Sequence, residues 1–341
     1  MTFQVFDGHN DVVLRLEGGR SFVEESDEGH IDLPRAQRGG FAGGLFAVFV
    51  PGPERGDMGG KPTGPYSFDL APSIEYDFAR ERTEQLAGIL RGLDEEGSVR
   101  FVRTAAEIDA CFSAETIAAV LHFEGAEPIG DLGELESWYG RGLRTLGLVW
   151  SRANKYAEGV PFRFPAPPDT GPGLTPEGAD LVRACNRLGV LVDLSHLNMK
   201  GFYDVAELSD APLVASHSNA WSLCRSTRNL TDEQLDTIAS TRGLVGVNFA
   251  VGFLREDGML DPEDTPLETV VRHVDYLVDR MGIDCVGLGS DFDGAAPPAE
   301  LGDASRLPAL FDALRERGYD DEALEKIAHG NWLRVLRETW G

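Results

Sequence analysis

Phe6-Asp7-Gly8-His9-Asn10-Asp11 closes a short apolar run that begins at Phe3, near the start of a 341-residue chain. At the end of a β-strand, His9 and Asp11 project to one face, because side chains alternate along a strand. An imidazole and a carboxylate on one face can hold a divalent ion, and zinc takes such ligands at about 2.0–2.2 Å. A polar strand end followed by a capped turn also accounts for a solitary His-x-Asp. Whether Asp7 does more than shape that turn is open. The question is whether the rest of the chain supplies the missing ligands.

Outward from this stretch, short apolar runs bounded by glycine recur. They are Phe3–Phe6, Gly44–Val50, Ile117–Phe123, Leu143–Val149, Val190–Leu194, Pro212–Ala215, Leu244–Phe249 and Cys285–Leu288, eight in all. Their nearly continuous apolar character is that of parallel strands buried on both faces. Helical patterns lie between them. Thr175-Pro176 supplies an N-cap and a first-turn proline for a helix over 177–188, with a stop at Gly189. Thr231-Asp-Glu-Gln234 reads as a capping box. Thr265-Pro-Leu-Glu268 reads as another, opening a helix to Met281 that stops at Gly282. Tyr76 to Leu93 reads as an amphipathic helix.

Strands alternating with helices imply an α/β fold. Eight of them favour a (β/α)8 TIM barrel, expected to be a single domain over 1–341. No Gly-x-Gly-x-x-Gly follows the first strand, which weakens the open dinucleotide-binding alternative. Gly52–Pro72 and Val160–Gly173 are rich in proline and glycine. They read as long βα loops over the C-terminal mouth. Asp321 to Trp340 reads as a helix interrupted near Gly330-Asn331.

Composition narrows the function. The formal net charge is −26, so nucleic acid and anionic membrane surfaces are poor partners. Only four lysines are present, so arginine carries nearly all the positive charge. No apolar run is long enough for a transmembrane helix. No signal peptide is read at the N-terminus, and the protein is expected in the cytoplasm. Cys111, Cys185, Cys224 and Cys285 are scattered, which argues against a zinc ribbon or disulfide framework.

The strand ends carry the chemistry. Strand one ends in His9-x-Asp11, strand three in His122-Phe-Glu124-Gly125 and strand five in Asp193-Leu-Ser-His196. Strand six ends in Ser216-His217-Ser218 and strand eight in Ser290-Asp291-Phe-Asp293-Gly294. In a barrel these C-terminal edges converge on one mouth, where catalytic groups sit. Five strand ends with metal-type ligands at one edge favour a metal site over a chance polar turn. His122 is read as a hydrogen-bonded barrel-core histidine. Asp193 is read as orienting a ligand histidine or as an ordinary polar core residue. His30 is expected exposed, His273 at the surface or packed, and His329 at the lower mouth or a helix cap. Cys224 lacks a base partner and is not read as a nucleophile.

These segments resemble the membrane (renal) dipeptidase family of zinc hydrolases, in a soluble bacterial or archaeal form. The matching text is Asp7-Gly-His-Asn-Asp11, His122-Phe-Glu-Gly125, Asp193-Leu-Ser-His196, Ser216-His-Ser218 with Arg228-Asn229 following, and Gly289-Ser-Asp-Phe-Asp-Gly294. It keeps the family's order and spacing across nearly the whole chain. The resemblance implies two Zn2+ ions, one on His9 and Asp11, the other on His196 and His217, bridged by Glu124. Water held between the ions would be the nucleophile. Asp291 would take its proton and pass it to the leaving amine. Arg228 would clamp the substrate's C-terminal carboxylate, which limits substrates to small dipeptides. A homodimer is also implied.

One position departs from the pattern. The family's well-studied members carry a histidine where this chain has Trp150, within Val149-Trp-Ser-Arg-Ala-Asn154. Tryptophan donates one hydrogen bond but cannot become a cation. Polarisation of the scissile carbonyl then falls to the metals, to Arg152 or to another group, unless Trp150 simply walls a substrate side chain. An amidase, lactonase or deacylase with the same binuclear centre stays open, as does an inactive metal-binding scaffold. Side-chain and L/D preference are open too, and other divalent metals fit similar ligands.

Overall fold

The computed structural model describes residues 2–52 and 64–341. Eight parallel strands close on themselves: β1 (Val5–Asn10), β2 (Phe41–Phe49), β3 (Ala118–Glu124), β4 (Leu143–Gly147), β5 (Leu191–Asp193), β6 (Val214–Ser218), β7 (Leu244–Val247) and β8 (Val286–Leu288). Neighbours pair in chain order, and β8 returns to β1. Surrounding helices complete a (β/α)8 TIM barrel. No described helix is long and apolar enough to cross a membrane.

Each apolar run becomes a stave, but the first lies later than its hydrophobicity suggests. It starts at Val5 and continues through His9 to Asn10. A further strand, Arg100–Val102, has no counterpart in the sequence reading. It pairs with Ala118–Val120 of β3, whereas β4 meets β3 only from Leu121 onward. The extra strand therefore covers the lower half of β3 that β4 leaves open. Three residues led by an exposed arginine give no periodic signal.

The helix at Pro176–Leu188 starts on Thr175, which accepts from the Gly178 N–H, and stops at Gly189 with φ 68°. The Thr231 capping box forms in both directions. The Thr265 box does not form. Thr265 Oγ1 donates instead to the Asp261 carbonyl, Glu300 takes the Leu267 N–H at 3.0 Å, and the helix begins at Glu268.

The chain's last helix is not interrupted. Asp321–Glu325 and Asn331–Trp340 are joined by a π-helical turn at Lys326–Gly330. The wider turn presents Asn331 Nδ2 to the Ile283 and Val286 carbonyls, both at 2.7 Å. It also directs Trp332 into the bottom of the barrel. Trp332 is fully buried with Phe6, Leu45, Val120, Val214 and Leu244, and its Nε1 donates to the Leu288 carbonyl at 2.9 Å. His329 serves the same end, its Nδ1 meeting the Gln4 carbonyl at 2.8 Å. The lower barrel is apolar and plugged, so polar groups concentrate at the opposite end.

There the two long loops meet. Tyr66–Ser67 pairs antiparallel with Arg163–Phe164, and the Phe68 N–H donates to the Phe162 carbonyl at 2.9 Å. The loops after β2 and β4 thus form a short ribbon over the mouth. Residues 53–63 of the expected Gly52–Pro72 loop lie outside the described residues.

Candidate metal centre

Irregular backbone aims the side chains. The register of β1 against β2 shifts between Asp7 and Asn10, the stretch that carries His9. The register of β6 against β7 shifts across the stretch that carries His217. Such irregularities near active sites re-aim a side chain. His196 and Asp291, in the turns after β5 and β8, have φ of 69° and 59°. Left-handed backbone at non-glycine residues costs on the order of 1–3 kcal/mol and persists where the surroundings over-determine it. Here the Asp291 N–H donates to the His9 carbonyl at 3.0 Å, and the His196 carbonyl accepts from Val160 at 2.8 Å. Asp7 does more than shape a turn: its carboxylate receives the Ser290 N–H and hydroxyl, both at 2.7 Å, tying β1 to the segment after β8.

Glu124, the last residue of β3, lies at the centre. Its Oε1 is 3.1 Å from His196 Nε2 and 3.7 Å from His217 Nε2. Its Oε2 is 3.8 Å from His9 Nε2, which in turn lies 3.4 Å from Asp11 Oδ2. One carboxylate thus turns one oxygen towards His196 and His217 and the other towards His9. Asp291 falls at the His9–Asp11 end: these three offer ligand atoms within 4.8 Å of one another. Asn248 donates to Asp291 Oδ2 at 2.9 Å. It directly follows β7, a strand end that carries no imidazole or carboxylate.

Burial shapes the charges. It pushes the Glu124 carboxyl up to about 8, opposed by His9 and reinforced by Asp11 and Asp291. Burial pushes Asp291 up to about 6, again against His9 and with Asp11. For His9, burial favours the neutral ring, but Glu124 and Asp11 outweigh it and hold the imidazole near 10. Burial and the neighbouring Arg228 and His9 charges hold His196 and His217 well below the usual histidine range. Crowded carboxylates of this kind are what a cation relieves. Both ring nitrogens of His9 are buried without a hydrogen-bond partner. An unmade bond of that sort costs about 1–3 kcal/mol. Imidazole and carboxylate donors together suit zinc. The residues present fit divalent metal ions.

Arg228 is buried beside this cluster. Its Nη2 donates to the His217 carbonyl at 3.2 Å, its guanidinium lies 5.5 Å over Phe253, and its Nε has no partner. Burial lowers it to about 10 despite Asp291 and Glu124. Trp150 is half-buried, with its ring 5.9 Å from His196, 4.9 Å from Phe49 and 5.7 Å from Phe162. Phe162 stacks on Phe253 at 6.1 Å. Trp150 therefore joins an aromatic wall. Arg152 packs against that wall, 5.3 Å over Phe49 and 5.0 Å over Trp150. Its Nη2 donates to Val50, and its Nε lies 3.8 Å from Glu127.

The other histidines have separate tasks. His122 sits in the core with Nδ1 2.9 Å from Thr145 Oγ1, edge-on to His9. His273 is buried, not at the surface: it accepts from the Ala220 N–H and pairs with the Leu254 carbonyl. His30 is not exposed. Its N–H donates to Asp293 Oδ1 at 2.7 Å, and its Nδ1 accepts from the Asp293 N–H at 2.8 Å. With Arg15 and Arg20 on Asp293 as well, the loop after β1 braces the turn that carries Asp291. Burial raises the Cys224 thiol to about 12, unsuited to a nucleophile. Ser151 and Ser216 were not legible as site residues. Their hydroxyls lie 2.9 Å from His196 Nδ1 and 2.8 Å from His217 Nδ1.

Known proteins resemble this chain along nearly its whole length. A metallo peptidase from Rhodobacter sphaeroides, solved with a phosphinate mimic of the dipeptide L-Ala-D-Ala, is 48% identical, with a TM-score of 0.96 and 100% of both chains covered. The structure of the metallo peptidase called dipeptidase AC is 49% identical, with a TM-score of 0.94 and 100% of both chains covered. Dipeptidase tcpJ of Claviceps purpurea is 30% identical over 98% of this chain and 76% of its own. The family profile described as membrane dipeptidase (peptidase family M19) matches residues 1–340. The chain therefore belongs to the membrane dipeptidase family, M19, whose members are metal-dependent peptide-bond hydrolases.

Proposed function

We propose that this chain is a zinc-dependent dipeptidase with a binuclear centre. His9 and Asp11 would hold one ion and His196 and His217 the other, with Glu124 available to both. The observation that carries this reading is the placement of Glu124, whose two oxygens face two different imidazole sets. Bound there, the ions supply Lewis acidity for the scissile carbonyl and lower the pKa of water. The chain's own groups do the rest. Arg228, buried with an unpartnered Nε, takes the C-terminal carboxylate of the substrate. Asn248 holds one oxygen of Asp291. The other accepts a proton from the attacking water and delivers it to the leaving nitrogen. Water oxygen bonds to the carbonyl carbon, the C–N bond breaks, and two amino acids leave. Trp150 and Phe162 wall the site from solvent and bound the space for a side chain. The analogue bound by the R. sphaeroides relative makes L-Ala-D-Ala the first substrate to try.

The test is a mixed L,L and L,D dipeptide panel on chelated and zinc-reloaded protein of measured metal content. Expected is loss of turnover on chelation and its return at about two zinc ions per chain. Arg228→Ala should lower kcat/KM about 10- to 150-fold, mainly through KM, as expected for a lost charged hydrogen bond. Dipeptide turnover indifferent to zinc or to Arg228→Ala would sink the proposal.

A further inference from the structure

Beneath His217, one buried carboxylate joins β5 to β6. Asp193 Oδ1 accepts from the Ser216 N–H at 2.7 Å and from the Ser195 N–H at 3.1 Å, while Oδ2 contacts the Ser216 hydroxyl. A carboxylate accepts and does not donate, so the single hydroxyl proton of Ser216 points at Asp193. The other neighbour of that hydroxyl, Ser195 Oγ, is 3.4 Å away and too distant to compete. Towards His217 Nδ1, at 2.8 Å, Ser216 Oγ can then only accept. Nδ1 must carry the ring proton. The lone pair is left on Nε2, the nitrogen that faces Glu124 Oε1 at 3.7 Å. Asp193, Ser216 and His217 are each at most 2% exposed, so bulk water cannot replace a link. His122 Nε2, 3.6 Å from Asp193 Oδ2, is beyond hydrogen-bond reach.

We infer that Asp193 and Ser216 are positioning residues that lock His217 in the Nδ1–H tautomer, presenting a bare Nε2 to a metal ion. This rests on the reading of His217 as a metal ligand. A ligating histidine commonly passes its second ring N–H to a carboxylate directly; here the carboxylate acts through a serine. Among the described residues the device is specific to His217. Among the described residues, His9 has no partner on either ring nitrogen. Ser151, beside His196, has no carboxylate hydrogen-bonded to its hydroxyl.

Two variants separate this role from mere packing. Ser216→Ala removes the relay but keeps both backbone donors to Asp193. In Asp193→Asn the two N–H groups hold Oδ1, so Nδ2 donates to Ser216. The serine must then donate to His217, which forces the proton onto Nε2. Nitrogen-15 NMR of the metal-free proteins reads the tautomer, and zinc titration against a chromophoric chelator reads affinity. Expected are Nδ1–H in the wild type, a mixture in Ser216→Ala and Nε2–H in Asp193→Asn. One of two zinc sites should weaken about 10- to 100-fold in Ser216→Ala and further in Asp193→Asn, with the other unchanged. An unaltered tautomer, or both zinc sites at wild-type affinity in Ser216→Ala, overturns the inference. A wild type that binds no zinc refutes the metal centre instead, while the NMR arm still decides the relay.

Discussion

Gly294 shows how little room the site leaves. A Cβ built on it would overlap Asp11 Oδ2 and Asp291 Oδ1. Both are ends of side chains that can swing aside, so Gly294→Ala should cost less than about 1 kcal/mol of stability. The displaced carboxylates, however, are the proposed ligand and proton carrier. A misplacement of about 1 Å at such groups can cost about 100-fold in rate. Gly294→Ala should therefore lower kcat/KM at least about 10-fold while the melting temperature barely moves. A variant within about twofold of wild type would show that the two carboxylates need not keep this spacing. The residues that the structure gathers round Glu124 were legible because an imidazole or carboxylate is costly to bury and so stands out at a strand end. Gly294, Ser216, Ser151 and Asn248 were not. Small polar residues end strands everywhere, and these acquire a task only from partners distant in sequence. The left-handed backbone of His196 and Asp291 leaves only a weak trace in residue type, since His and Asp enter that region more readily than most residues but still seldom.

At the scale of elements, the C-terminal helix is a component of the barrel. Trp332 fills its lower end against Phe6, at 6.0 Å between rings, and against apolar side chains of neighbouring staves. Gly8 has no side chain because a Cβ there would overlap the indole. Trp332→Ala should destabilise by about 3–5 kcal/mol, since the cavity is ringed by strands that cannot collapse into it. The proposed metal ligands lie above the plug, towards the mouth, so folded variant protein should keep near-normal KM. Denaturant unfolding and steady-state kinetics check the two halves; a loss below about 1 kcal/mol would mean that the plug is dispensable. The eight staves were legible because parallel strands buried on both faces read as unbroken apolar runs. What periodicity could not show depends on pairing across the chain. Arg100–Val102 is a strand only because β3 has a vacant edge there, and the ribbon over the mouth exists only because two loops meet. Gly330-Asn331 looked like a break because a π-turn disrupts the 3.6-residue pattern without ending the helix.

The whole molecule carries 57 acidic and 31 basic residues, and the excess decides how it responds to salt. Many arginines are committed to surface pairs, such as Arg280–Asp236 at 2.6 Å, Arg317–Asp275 at 2.9 Å and Arg337–Asp109 at 2.6 Å. Exposed pairs of this type contribute about 0–1 kcal/mol each. The net charge of −26 acts over longer distances, and folding draws those charges together. The screening length falls from about 30 Å at 0.01 M salt to about 8 Å at 0.15 M. Repulsion between carboxylates tens of ångströms apart is removed over that interval, whereas partners in direct contact lie well inside even the shorter length. Added salt should therefore remove more destabilisation than stabilisation. Zinc-saturated protein should melt several degrees higher at about 0.3 M NaCl than at about 0.01 M. Most of the gain should come below about 0.15 M, and KCl should give the same result. Thermal melts at fixed pH decide it: a melting temperature that falls as salt is added would show that the arginine pairs outweigh the net repulsion.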